Sequence, residues 1–536
     1  MKKRIVFPLL FFLLYEFSYS FKCGTDSINK KPKKINSEDL DNKRKLSNKY
    51  TPIKIMLDYE FIKSQDMLDS TDLDALIEIF SEVTNSLSSL LSVIHVNAEL
   101  NIEEISNACD INKFSSDINK ALYNYDVIIF PMINENVDEG VLAQAWTCLA
   151  FENSRPAVGV VEINPDFSLT KNDTTYYMKY ILLHEISHIL GFSSLYFEEL
   201  GMIYTETKKR ERKSYLRSPK LIERAKLHFN CENIKGIQLE NQGGSGSAGS
   251  HWEARYMLGD YMISTDYIEV TISDITLAYF EDTGFYKANY YTGGLFRFGK
   301  NKGCKFLENE CVTNNGEDTL FPNEFCTEEE GYFCGSSHIS RGDCYIINYE
   351  SPINLKFRHY TDQLKGGFSP ADYCPVSYPY YDEDLDKKYY NPHSCNYGYN
   401  YRVDEFGEKI GKNSVCFESS LFPEEYNKYN ELFSLCYQIN CDRNLRQINV
   451  YIGNNKFTCP KNGGILDNPN GIKGQLKCPD YNTICTSNIW CNELFDCIEQ
   501  KSLSDLDTYD YYKNNSRNYI RLNLFIFHLF ILFLIY

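Results

Sequence analysis

In the stretch "LLHEISHILGFSSLYFEEL", residues 182–200, His184, Glu185 and His188 stand in the order H-E-x-x-H. On a helix, residues four apart project from one face, so both imidazoles can reach one Zn²⁺ and Glu185 can approach a water held there. A catalytic zinc takes three protein ligands and keeps one position open, so two histidines leave the site incomplete. The commonest long form of the motif places a third ligand three residues after its glycine, but three residues beyond Gly191 stands Ser194. The other histidines are His95, His228, His251, His338, His359, His393 and His528. His251 is distinguished by its setting. It follows the loop "GGSGSAGS", which can turn sharply, and it precedes "WEARYMLGDYM". Glu198 and Glu199 are rivals, although ten and eleven residues after His188 is close for a separate ligand-bearing element.

These groups need a frame. "TPIKIMLDYEF" reads as a β-like run, "ALIEIFSEVTNSLSSLLSVI" has helical apolar spacing, and "YDVIIFPMI" and "PAVGVVEI" read as buried strands. "DTTYYMKYILLHEISHILGF" reads as one helix, with Asp173 or Thr174 able to cap its start and Gly191 able to end it in a left-handed turn. Leu183, Ile186 and Leu190 line a face of that helix apart from the histidines. Strands followed by a motif-bearing helix point to a mixed α/β arrangement. A segment with the basic patch "TKKRERK" comes next, and from about residue 300 the chain turns rich in Cys, Tyr, Asn and Gly.

The 536 residues allow two or three domains. Lys2, Lys3 and Arg4 precede the apolar run "IVFPLLFFLLY", and Ser18 and Ser20 flank a cleavage point, as in a secretory signal peptide. Nineteen cysteines fit an oxidising compartment, and fifteen of them lie from Cys304 to Cys497. The total is odd, so at least one thiol stays outside intramolecular disulfides. Of the net charge of −18, residues 51–514 carry −27, because residues 1–20, 21–50 and 515–536 carry +2, +5 and +2. So acidic a body excludes nucleic acid as a partner, since phosphate binding needs a basic surface. Residues 21–50 are polar and basic and read as a mobile segment, with "NKRK" as a processing site. Asn172 and Asn514 begin glycosylation sequons. The chain ends in an apolar run from Leu522 to Tyr536, short for a membrane span. Before it stand Asn514, Asn515, Ser516 and a polar spacer, the order expected of a GPI-attachment signal with Asn514 as the attachment residue.

"HEISHILGF", a long insertion and then "GSAGSHWEARYMLGDYM" together resemble the leishmanolysin family of metzincin zinc metalloproteases. Gly191 and His251 are sixty residues apart, as that family's insertion requires, and Met262 follows His251 by eleven, while Met257 is off register. "LAQAWTCLAFENSRPAVGVVEINP", "DITLAYFEDTGFYKANY" and "GQLKCPDYNTIC" extend the likeness over about residues 50–500. The segment Asp260-Tyr261-Met262-Ile263-Ser264 departs from it, having Tyr where Leu is usual and lacking a proline.

The resemblance implies an α+β fold. A metzincin-like catalytic domain over residues 51–295, with an insertion at 192–250 before the third histidine, is followed by a Cys-rich domain over 296–510. A signal peptide (1–20), a pro-segment (21–50) and a GPI signal (515–536) flank them. It further implies one Zn²⁺ held by His184, His188 and His251, with Glu185 as general base and Met262 beneath the ligands. "FKCGTD" resembles the family's latency motif, so Cys23 is expected to ligate the zinc before processing. Protein or peptide substrates, a lipid-anchored membrane location and a role in cell adhesion follow as expectations. The contrary expectation is a binding protein on a dead protease fold, which the Tyr- and Cys-rich second half would suit. The cysteines suggest two pairings, Cys109 with Cys148 and Cys231 with Cys304.

Overall fold

The computed structural model describes residues 22–23, 31–37, 49–134, 141–165, 172–208, 211–242, 247–265, 267, 269–290, 296–327, 332–379, 395, 401–403, 407–411, 413–421, 433–442, 444–469 and 473–485. The signal peptide, "NKRK", His393, Cys491, Cys497, Asn514, His528 and the apolar tail lie outside these residues, and of Asn172 only the backbone is described.

The first half is a mixed α/β structure. Its strands are β1 (Lys22–Cys23), β2 (Lys33–Ile35), β3 (Ile55–Leu57), β4 (Val127–Ile133), β5 (Val141–Phe151) and β6 (Pro156–Ile163). They form one sheet in the order β1-β5-β6-β4-β3, with β2 also on β5. β3, β4 and β6 are mutually parallel, whereas β5 runs antiparallel to β6. Every residue of β6 is buried, as expected of a strand covered on both faces. Helix α1 (Ser70–Leu90) is capped by Asp69, whose carboxylate accepts from the Thr71 and Asp72 amides. It buries Leu76, Ile79, Phe80, Val83, Leu87 and Leu90 at helical spacing.

The motif-bearing helix α2 spans Asn172–Ile189, so Asp173 and Thr174 fall inside its first turn rather than before it. It lies on the same face of the sheet as α1, and a Cβ at Gly159 of β6 would collide with Ile189. That glycine is what lets the helix sit so close to the strand. Leu182, Leu183, Ile186 and Leu190 join α1 in one large apolar cluster, while Trp146, Cys148, Val158 and Val160 face a second cluster on the far side of the sheet.

Within 21–50, the described residues 22–23 and 31–37 depart from the mobile segment that their composition suggests. β1 and β2 both run parallel to β5, pairing Cys23 with Ala143 and Ile35 with Phe151. Polarity did not prevent order, because an edge strand offers backbone hydrogen bonds whatever the side chains are. Cys23 and Ile35 supply buried anchors, and Lys33 and Lys34 meet Glu104 at 2.7 Å and Glu199 at 3.2 Å.

Between residues 192 and 250 lie the hairpin β7 (Ile203–Lys208) and β8 (Glu211–Leu216), and helix α3 (Pro219–Phe229). Helix α4 (Asp274–Asp282) follows His251, and its Asp282 carboxylate accepts the Lys220 and Leu221 amides at the start of α3. The second half is not only stapled loops. It contains a six-stranded antiparallel sheet from β9 (Ser414–Ser419), β10 (Phe433–Asp442), β11 (Gln447–Ile452), β12 (Asn455–Thr458), β13 (Gly464–Asp467) and β14 (Gln475–Cys478). Its order is β12-β11-β10-β9-β14-β13. Among the described residues no helix is long and apolar enough to cross a membrane.

Candidate metal centre

α2 ends in a hydrogen-bonded turn that starts to build the site. The Phe192 amide reaches back to Ser187 O and the Gly191 amide to His188 O, both at 3.0 Å, with Gly191 at φ +112°. This is a Schellman ending, and it needs a residue that tolerates positive φ. The last carbonyls of the helix are taken by hydroxyls from elsewhere. Thr147 donates to Ile189 O at 2.9 Å, Tyr286 to Leu190 O at 3.0 Å, and Tyr279 to Gly191 O. Phe192 then packs edge-on against Phe197, Trp252 and Tyr279. Thr147, Tyr279 and Tyr286 carry no signal in the sequence, because nothing local ties a hydroxyl to a helix end so far along the chain.

The chain leaves for the insertion here and returns at the same place. The Ser194 amide donates to Ser250 Oγ at 2.8 Å, closing the neck of the insertion one residue before His251. His184, His188 and His251 then converge. Their Nε2 atoms are 2.9 Å (His184–His188), 3.2 Å (His184–His251) and 3.2 Å (His188–His251) apart. Each Nδ1 meets a backbone carbonyl: His184 that of Tyr261 at 2.7 Å, His188 that of Phe192 at 2.5 Å, and His251 that of Ser247 at 2.8 Å. A carbonyl only accepts, so each Nδ1 carries the hydrogen and each Nε2 keeps a lone pair.

Three lone pairs aimed at one point repel one another unless a cation lies between them, and this donor set therefore fits a metal ion. A tetrahedral ion with nitrogen ligands at ~2.0–2.1 Å requires ligand nitrogens ~3.3 Å apart, close to the spacing found. Burial, aided for His184 and His188 by the neighbouring imidazoles, pushes His184 down to about 3 and His188 well below its ordinary value. Burial alone takes His251 to about 4. All three rings are thus neutral at physiological pH, the form that ligates.

Cys23 is the fourth member of this buried cluster. Its Sγ lies 3.4 Å from His188 Nε2 and 3.7 Å from the Glu185 carboxylate. It is the one cysteine outside a disulfide among the described residues. Glu185 is fully buried beside the histidines, and Met262 is fully buried in the same apolar cluster as Leu183 and Ile186. Met257 is also buried there.

The rivals lie elsewhere. Glu198 and Glu199 are exposed, and Glu199 binds Ser154 and Lys34 instead of approaching the imidazoles. His95 pairs with Asp126 at 2.8 Å, and His228 and His338 meet the carbonyls of Phe298 and Cys416. A second group of soft ligands, Cys311, His359 and Cys374, is taken up by the Cys311–Cys374 disulfide. Cys109–Cys148 and Cys231–Cys304 are both formed, the latter tying the insertion to the start of the second half.

Residues 49–491 match the sequence profile of peptidase family M8, Leishmanolysin. A leishmanolysin homolog of Crithidia fasciculata is 31% identical over 325 residues, which are 59% of this chain and 49% of that protein. Leishmanolysin of Leishmania major is 26% identical over 441 residues, 80% of this chain and 71% of that protein. A leishmanolysin-like peptidase of Caenorhabditis elegans is 26% identical over 306 residues, 50% of this chain and 46% of that protein. The chain thus spans about half the length of the Crithidia and Caenorhabditis relatives.

Proposed function

We propose that this chain, which belongs to the leishmanolysin family, is a zinc-dependent endopeptidase acting on peptides and proteins at the cell surface. The observation that carries the reading is the set of three neutral imidazoles, each tautomer fixed by a carbonyl and each Nε2 turned to one point beside Glu185. His184, His188 and His251 would hold the ion. Bound there, Zn²⁺ supplies Lewis acidity, lowering the pKa of a water toward ~7 and polarising a carbonyl.

The remaining work falls to the chain. Glu185 takes a proton from the attacking water and delivers it to the departing amine. The carbonyls of Tyr261, Phe192 and Ser247 keep the rings from turning, and Met262, fully buried in the apolar cluster, would pack beneath them. Residues 51–295 would form the catalytic domain, interrupted at 192–250, and residues 296–510 a Cys-rich domain. A peptide-library cleavage profile recorded with and without chelator, beside the zinc content, tests the reading. Cleavage unaffected by chelator would overturn it.

Cys23 adds latency. Its thiolate would fill the metal's open position until residues 21–50 are removed, and its place 3.4 Å from His188 Nε2 supports this. A Cys23→Ser proenzyme should then cleave without processing; one that stays latent counts against the switch. We further assign the C-terminal tail to GPI attachment at Asn514, with Asn172 glycosylated and adhesion as an additional role. Phosphatidylinositol-specific phospholipase should release active enzyme from intact cells, and peptides from Phe525 onward in the mature protein would reject the anchor. Peptide mapping after glycosidase treatment should find Asn172 converted to Asp. Loss of cell adhesion on deleting the surface protein, restored by Glu185→Ala, would separate adhesion from proteolysis.

A further inference from the structure

The segment Asp260-Tyr261-Met262, where the sequence departs from its family, is locked by a buried polar chain. Trp252, the residue after His251, donates its indole N–H to Thr276 Oγ1 at 2.8 Å. Thr276 Oγ1 lies 2.8 Å from Asp260 Oδ2, and the other carboxylate oxygen accepts the Met262 amide at 2.8 Å. The direction of each bond is fixed. An indole N–H only donates and a carboxylate only accepts, so the single threonine hydrogen must point to Asp260. Ser273, at the start of α4, adds its amide to Asp260 at 3.2 Å and its hydroxyl to Thr276 at 3.1 Å. Trp252, Asp260, Ser273 and Thr276 are all 0–1% exposed, so bulk water does not reach them.

Both ends of this chain touch the ligands. At one end, Trp252 is bonded in sequence to His251, and its amide donates to Met262 O at 3.0 Å. At the other, the residue between Asp260 and Met262 is Tyr261, whose carbonyl receives the His184 Nδ1 hydrogen at 2.7 Å. The hydroxyl of Thr276 therefore sits between the third histidine's neighbour and the carbonyl that orients the first.

We propose that Asp260, Thr276 and Trp252 are positioning residues for the metal centre: they set His251 and the Tyr261 carbonyl relative to α2, and so decide how tightly the ion is held. The proposal rests on the zinc reading above. It is tested on the full-length chain by zinc affinity in competition with a chelating dye, and by the visible spectrum of the Co²⁺-substituted protein. Groups that orient metal-bound histidines typically contribute ~10–100-fold to metal affinity. Thr276→Val should weaken zinc by about tenfold, toward the low end because it acts through a carbonyl, and should shift the cobalt bands. Thr276→Ser restores the hydroxyl and should return both readouts to wild type. Trp252→Phe, which keeps an aromatic ring and deletes the N–H, should weaken zinc in the same direction and decides the question if Thr276→Val fails to fold. Wild-type zinc affinity in Thr276→Val or Trp252→Phe, or equal weakening in Thr276→Val and Thr276→Ser, overturns the proposal while leaving the zinc reading intact. A wild-type chain that takes up no zinc overturns both.

Discussion

Between residues 49 and 290 the core is made of long apolar runs packed on two faces of one sheet, with Cys109–Cys148 its one internal disulfide among the described residues. Beyond residue 304 six disulfides lie in a shorter length of described chain, and one small core consists of Cys334, Cys395, Cys416, Cys436 and Ile410. The second half also has a six-stranded sheet, whose strands mix Tyr, Asn, Ser and Cys with the Val, Ile, Leu and Phe of a smaller apolar cluster. Burial of fewer apolar groups is offset by restricting the unfolded chain, which is how small exported domains are stabilised. The residues proposed to bind the metal all sit in the half that depends least on disulfides. A site that needs its ligands fixed benefits from dense apolar packing, which resists displacement in every direction.

The largest effects test whether the chemistry resides wholly in the first half. Glu185→Ala should lower turnover by about 10²–10⁴-fold while zinc stays near one per chain, since in the proposed mechanism the glutamate carries a proton and does not ligate. His251→Ala should lose the metal and with it all turnover, and full zinc content in His251→Ala would remove the third ligand from the scheme. Metal analysis alongside peptide cleavage distinguishes the two.

A smaller effect separates the two modes of stabilisation. Replacing Cys334 and Cys416 by Ser removes a disulfide closing 82 residues and should destabilise the second half by about 2–5 kcal/mol. Limited proteolysis should then cut beyond residue 300 first, while residues 51–290 retain zinc. Simultaneous loss of both halves would mean that they fold as one unit. Smaller again, Ile186→Val in α2 should cost about 0.5–1.5 kcal/mol, by a cavity the size of one methylene, and the cost should be the same with and without reductant. Denaturant melts under both conditions provide the comparison.

The smallest effect is electrostatic. The hydrogen bond to Asp126 raises the half-exposed His95 above its ordinary 6.5, opposed by burial. A raised histidine stabilises the fold fully below pH 6.5, and that contribution fades as pH rises through the folded value. Thermal melts at pH 6 and pH 8.5 should therefore show a small loss at the higher pH that Asp126→Asn abolishes. An unchanged difference in Asp126→Asn would assign the pH dependence to other groups.

The motif, its helix and the apolar faces of that helix were legible in the sequence because each is a local regularity. Four residues set the histidine pair, one glycine sets the helix end, and period 3.6 sets the buried side. The six-stranded sheet of the second half was not read from the sequence, although Val415 and Phe417, Leu435, Tyr437 and Ile439, and Ile448, Val450 and Ile452 alternate along its strands, because the surrounding Cys-, Tyr- and Asn-rich composition reads as stapled loops. The order of β1 and β2 escaped because these strands exist through pairing with β5 rather than through their own side chains. His251 was marked by its loop and its spacing, but Ser194 bonded to Ser250, the carbonyls of Phe192, Tyr261 and Ser247, and the Asp260–Thr276–Trp252 chain could come only from folding. A sequence carries the identity of groups that can do chemistry. Which nitrogen keeps its lone pair, and which carbonyl turns each ring, depends on contacts between residues far apart in the chain. Those are decided when burial leaves every polar group one place to bond.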